Sequence, residues 1–174
     1  GTVVFDYQGR IERVVSDTEQ DLTNALIKAV EGEERTVYFL QGHGEKDVVS
    51  SDREGYSAVA DALGLDNFGV ESLVLVQEGN VPDDAAVLVV AGPTTDLLPT
   101  ESEAIRTYLG AGGKALFLVD PPARSDAPEL SNVSALIEEW GIEVGRNVVV
   151  DVSGVGQLIG TDAFQPVAAS YPPH

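Results

Sequence analysis

Acid–base or metal chemistry needs particular side chains, and this chain offers few of them: two histidines and no cysteine among 174 residues. Of the two histidines, His174 ends the sequence, where it reads as a boundary residue. His43 stands in the run Gln41-Gly42-His43-Gly44-Glu45. Its flanking glycines permit positive φ or close backbone approach, the imidazole titrates near neutrality, and Glu45 could orient it. In principle His43 could act as a base or a ligand, the loop amides could bind an anion, and Asp47 and Asp120 could complete a nitrogen and oxygen metal site. The plainer alternative is a tight glycine turn in which His43 hydrogen-bonds across strand ends. No spacing signature of a metal site is present, so no metal and no cofactor is assigned.

Other catalytic patterns are missing. The segment fits neither G-x-x-x-x-G-K-[ST] nor G-x-G-x-x-G, and the residues after it are acidic, Glu45, Asp47, Asp52 and Glu54, which opposes a phosphate cradle. Gly110-Ala111-Gly112-Gly113 reads as a helix stop rather than a phosphate loop. There is no G-x-S-x-G elbow, and an amidotransferase-type elbow would need a cysteine. Ser50, Ser51 and Thr94 are polar loop residues with no base in view except His43. No catalytic residue is assigned.

The composition restricts partners more than it restricts chemistry. Twenty-nine acidic and ten basic residues give a net charge of −19, a field that repels phosphate backbones and anionic lipid headgroups. Nucleic acid is excluded as a partner, and the simplest use of the charge is solubility. A hydrophobic content of 43% with 6% aromatics is that of a globular chain with a real core. No apolar run approaches the roughly 20 residues that span a bilayer, and nothing at the amino end resembles a signal peptide. The chain begins at Gly1 and contains no Met, so the expectation is a fragment of a longer protein whose targeting signals lie outside it.

The elements that must hold the His43 loop can be read along the chain. Val3–Tyr7 and Ile11–Val15 around Gln8-Gly9-Arg10 predict a hairpin. Ser16 with Glu19 has capping-box spacing, and Leu22, Ala25, Leu26, Ala29 and Val30 form one apolar helical face closed by Gly32. Thr36–Leu40 is a buried strand that delivers the chain to the loop. A helix over about Tyr56–Leu63, strands Ser72–Val76 and Ala86–Ala91, a capping box at Thr100-Glu101-Ser102-Glu103 with a helix to Leu109, and a strand Ala115–Val119 follow. Asp120-Pro121-Pro122 stiffens the exit. A helix near Asn132–Trp140 and strands near Ile142–Val144 and Val148–Val150 complete the pattern, with Trp140 expected to pack the last helix on the sheet.

Strands alternating with helices predict an α/β fold, a three-layer open and mostly parallel sheet with an N-terminal β-β-α segment. The chain is read as one domain, 1–174: the β-β-α segment over 1–33, a doubly wound core over 34–152, and a truncated C-terminal extension over 153–174. The connection Gln77–Ala85 is short for a parallel crossover. Extended, it reaches about 30 Å against the roughly 20 Å required, so the parallel reading stands, with an antiparallel pair as the alternative. In a doubly wound order the switch point falls between Leu40 and Ala91. The loops there, Gly42, His43, Gly44 and Glu45 on one side and Gly92, Pro93 and Thr94 on the other, with Asp120 beside them, form the candidate ligand or partner crevice.

Two stretches carry a family resemblance. Thr18-Glu19-Gln20-Asp21-Leu22-Thr23-Asn24-Ala25-Leu26 and Val37-Tyr38-Phe39-Leu40-Gln41-Gly42-His43-Gly44-Glu45 resemble the GldG-like auxiliary components of ABC transport systems, known from bacterial gliding motility. Val81–Ala85, Val89–Pro93, Glu103–Leu109, Gly112-Gly113-Lys114 and Asp120-Pro121 agree in the same order, and Tyr171-Pro172-Pro173-His174 looks like the start of a further family segment.

The resemblance implies a sheet related to flavodoxin-like and class I amidotransferase-like folds. It also implies a non-catalytic domain on the periplasmic or extracellular side, in a protein held by membrane anchors outside this stretch, beside permease and ATPase subunits. Two rival expectations remain: a hydrolase or metal-dependent carbohydrate-active enzyme centred on His43, Glu45 and Asp120, and a solute-binding module. The enzyme requires those three side chains to converge within about 3–5 Å of one point.

Overall fold

The computed structural model describes residues 1–32, 35–121 and 127–145, with the isolated positions 147, 150 and 160. Two strands, β1 (Val3–Tyr7) and β2 (Arg10–Val14), form an antiparallel hairpin whose turn places Gln8 and Gly9 at positive φ, as a two-residue primed turn requires. Helix α1 (Glu19–Glu31) packs against this hairpin. Its cap is Thr18, whose side chain accepts from the Asp21 amide, and not Ser16. Ser16 Oγ instead accepts from the Thr18 amide one step earlier. Gly32, in the left-handed conformation, donates to Lys28 O and ends the helix. The expected apolar face is only partly covered: Ala29 is fully buried, while Leu26 and Val30 remain exposed.

The rest of the described chain winds a four-stranded sheet in the order β4-β3-β5-β6, every pair parallel. Its strands are β3 (Arg35–Leu40), β4 (Phe68–Leu73), β5 (Ala85–Ala91) and β6 (Ala115–Leu118). The helices between them are α2 (Ser57–Leu65), the short α3 (Leu75–Glu78), α4 (Pro99–Gly110) and α5 (Ser131–Glu138).

Alternation along the central strands sends side chains to two faces. On one, Leu40, Leu73, Leu88 and Val90 pack against Ala104 and Ile105 of α4 and Val133, Leu136 and Ile137 of α5. On the other, Val37, Phe39, Val89 and Ala91 meet Val48, Tyr56 and the α2 residues Ala60 and Leu63. The result is the expected three-layer, flavodoxin-like α/β architecture with an antiparallel hairpin at its amino end. The chain reverses sides after its first crossover, so the switch point lies between β3 and β5 as the strand pattern predicts.

Several boundaries move, each for a local reason. The strand expected at Ser72–Val76 begins at Phe68, because Phe68 and Gly69 already pair with Arg35 and Thr36. It ends at Leu73, because Leu75 turns back into the core as the first residue of α3. That single helical turn lets the short connection complete a parallel crossover. Helix α4 starts earlier than the Thr100 box: Leu98 is the N-cap, Pro99 occupies the first helical position, and the N3 residue Glu101 accepts from the Leu98 amide at 2.9 Å. Ile142–Val144 is irregular rather than a strand, with Val144 packed against the core. Most of the expected strand at Val148–Val150, together with Pro122 and His174, lies outside the described residues. Trp140 is 63% exposed and is not the core residue expected of it.

Candidate functional site

Strand β3 ends at Leu40 and the next residues are tied down at once. The Gln41 amide donates to Leu73 O, its side-chain amide donates to Lys46 O at 3.1 Å, and the Lys46 amide donates to Ala91 O at 2.8 Å. These bonds stretch Gly42–Glu45 across the carboxyl ends of β4, β3 and β5. The second loop is zipped to the first: the His43 carbonyl accepts from the Thr94 amide at 2.8 Å, the Thr95 amide at 3.0 Å and Thr94 Oγ1 at 3.2 Å. Gly44 sits at φ 81°, and a Cβ there would collide with the Thr94 hydroxyl. Glycine is required on both counts, backbone conformation and space.

The imidazole lies inward. His43 is 9% exposed and Glu45 8%. Nδ1 faces Glu45 Oε1 at 3.1 Å, while the other carboxylate oxygen of Glu45 accepts from the His43 amide at 2.7 Å. Nε2 faces Glu101 Oε2 at 2.8 Å. Glu101, 3% exposed, uses the same oxygen to accept from the Leu98 amide at the start of α4. Each ring nitrogen thus has its own carboxylate oxygen within hydrogen-bond reach. The cluster links the loop after β3 to α4 by hydrogen bonds that are shielded from water.

Glu101 was read from the sequence only as part of the Thr100 capping box and not as a site residue. Its signal was Pro99 followed two residues later by a glutamate, which marks a helix start and places that carboxylate at N3, facing back over the cap.

Asp120 does not join this centre. Its side chain is 68% exposed and approaches Lys46 Nζ at 4.0 Å, while the same ammonium bonds Glu54 at 3.0 Å. The hydrogen bond to Glu54 holds the Lys46 ammonium above its usual pKa, with the nearby carboxylates adding to the effect. Gly92, at φ 64°, lies under these side chains: a Cβ would come within 3.0 Å of Asp120 Oδ2 and 3.2 Å of Lys46 Cε. Lys46 thus lies against Gly92, between the two loops of the switch point. Asp47 also points elsewhere, its carboxylate accepting from the Val49 amide. Among the described residues no group of three or more His, Cys, Asp or Glu side chains is arranged to hold a metal ion.

The loops after β3 and β5 therefore meet at the switch point, as expected, but they do so as one hydrogen-bonded unit. Its buried side carries His43, Glu45, Gly92 and Pro93; its exposed side carries Gly42, Gly44, Thr94 and, with Lys46, Asp120. The positive end of α4 is already matched by the Glu101 carboxylate, which leaves that helix terminus poorly suited to an external anion.

A solved structure titled mmIFT52 N-terminal domain is similar to this chain at a TM-score of 0.48 and 25% identity, over 66% of this chain and 48% of that one. The match thus spans about half of that structure's length. No curated protein matches. A family model described as an ABC-type uncharacterized transport system matches residues 34–173, a span that begins just before β3 and takes in the whole sheet and both loops of the switch point. The chain belongs to this ABC transport auxiliary family, whose role is that of an accessory component in an ABC-type transport system.

Proposed function

We propose that the chain is a non-catalytic, extracytoplasmic accessory domain of a GldG-like, gliding-motility-type ABC system. In this reading it works beside the permease and ATPase subunits and binds a protein partner or small ligand at the exposed side of the Gly42–Glu45 and Gly92–Thr94 loops. The observation that carries the reading is the engagement of His43. Both ring nitrogens face buried carboxylates, and its carbonyl takes three donors from the second loop. A general base needs a free lone pair within reach of substrate. Here the imidazole is committed to holding two loops and a helix together, and Asp120, the third member of the rival enzyme centre, lies with Lys46 instead. What remains accessible is a rigid polar rim, which suits recognition.

A photo-crosslinking residue at Thr94 in the full-length protein, in cells, tests the site. Adducts with components of the same transport system are expected; adducts absent at Thr94 but abundant from α2 would remove the crevice from the proposal. The chain has no cysteine, so Asp83→Cys offers a single label within it. Labelling of intact cells by a membrane-impermeant maleimide is the expected result for an extracytoplasmic domain. Labelling only after lysis would contradict that side of the proposal.

A further inference from the structure

Trp140, the only tryptophan of the chain, follows the last turn of α5 and is 63% exposed; Ile142, two residues on, is 59% exposed. Large apolar side chains of this kind usually end in a core, and a bare tryptophan beside a bare isoleucine marks a contact surface. The surroundings give that surface a sign. A shallow depression of about 370 Å³ beside them is lined by Glu138, Gly141, Ile142 and Glu143. The third carboxylate of this stretch, Glu139, is neutralised by Arg106, which bonds both its oxygens at 2.9 and 3.0 Å through Nε. Glu138 and Glu143 have no ion-pair partner among the described residues.

We infer that the end of α5 is a docking surface for a protein segment that places a lysine or arginine next to a large apolar side chain. The apolar residue covers Ile142 and the edge of Trp140. The cation sits between Glu138 and Glu143, where it gains ion pairing. The net charge of −19 favours the approach of a cationic partner and disfavours an anionic membrane. This surface is separate from the switch-point loops and stands or falls without them.

Trp140 is its own reporter. Titration with a synthetic amphipathic Lys/Leu peptide should shift the Trp140 emission to the blue, whereas a Glu/Leu peptide of the same apolar pattern should not. By anisotropy of the labelled Lys/Leu peptide, Trp140→Ser should weaken binding by about tenfold or more, as loss of an aromatic anchor does. The pair Glu138→Gln and Glu143→Gln should weaken it severalfold, and the remote pair Asp61→Asn and Asp66→Asn should leave it near the parent value. The proposal is overturned if the Lys/Leu peptide does not bind or binds without moving the emission. It is equally overturned if both peptides shift the emission alike, if the remote pair weakens binding as much as the local pair, or if neutral phosphatidylcholine vesicles produce the same blue shift.

Discussion

Truncating His43 would leave Glu45 and Glu101 buried and facing one another across an empty site. Removing one partner of a buried hydrogen bond costs about 1–3 kcal/mol for each group left unsatisfied, and His43 serves both carboxyl groups. His43→Ala should therefore lower stability by an amount in that range in urea unfolding, far beyond an average surface substitution. Ser102 makes the contrast. Its hydroxyl, on α4, is buried with no hydrogen-bond partner among the described residues, so Ser102→Ala removes an unsatisfied group rather than a bond. Stability should stay within about 0.5 kcal/mol of the parent or rise. A clear loss would show that the hydroxyl has a partner. At this scale the sequence was half legible: Gly-His-Gly-Glu announced a special loop, and Glu45 was correctly set beside His43. Glu101 was hidden because it lies 58 residues away from His43 in the chain and only the crossover through β5 brings the two together. Asp120, the third member of the alternative enzyme centre, lies with Lys46 rather than His43, because proximity of strand ends does not say which way a side chain turns.

Between elements, the ties are carried by side chains whose roles depend on a partner helix or loop. Asp96, after β5, accepts from the Asn132 and Val133 amides and so caps α5, which has no cap of its own. Arg106 of α4 clamps Glu139 just past α5 and Glu103 on its own helix. The hydrogen bonds from Arg106 hold the Glu139 carboxyl below its usual pKa. A carboxyl whose folded-state pKa is depressed adds stability above its unfolded value, and that contribution fades as pH falls through the acid range. Arg106→Gln should lower stability slightly at pH 7 and make no difference once Glu139 is protonated, so the two stability curves should converge at low pH. Curves that stay parallel would assign Arg106 a packing role alone. Strand order was readable because hydrophobic runs and short connections leave few topologies. Helix starts were not: Ser16 and Thr100 looked like caps, yet Thr18 and the Leu98–Pro99 step won, each by the bonds its neighbours could make.

Across the described residues, a well-packed parallel sheet is combined with exposed apolar side chains at the amino end and at Trp140 and Ile142. Trp140 illustrates why composition and periodicity fall short there: a tryptophan after an amphipathic helix fits a core or an interface equally well in sequence, and only three-dimensional exposure separates them. Membership of the ABC transport auxiliary family gives the domain a setting, and the proposal is that its switch-point loops serve recognition there. Affinity purification of the full-length protein from its own membranes, with quantification of what accompanies it, tests this most directly. The account predicts recovery of the permease and ATPase of its own transport system at comparable stoichiometry. Full-length protein recovered intact and free of both subunits would contradict it.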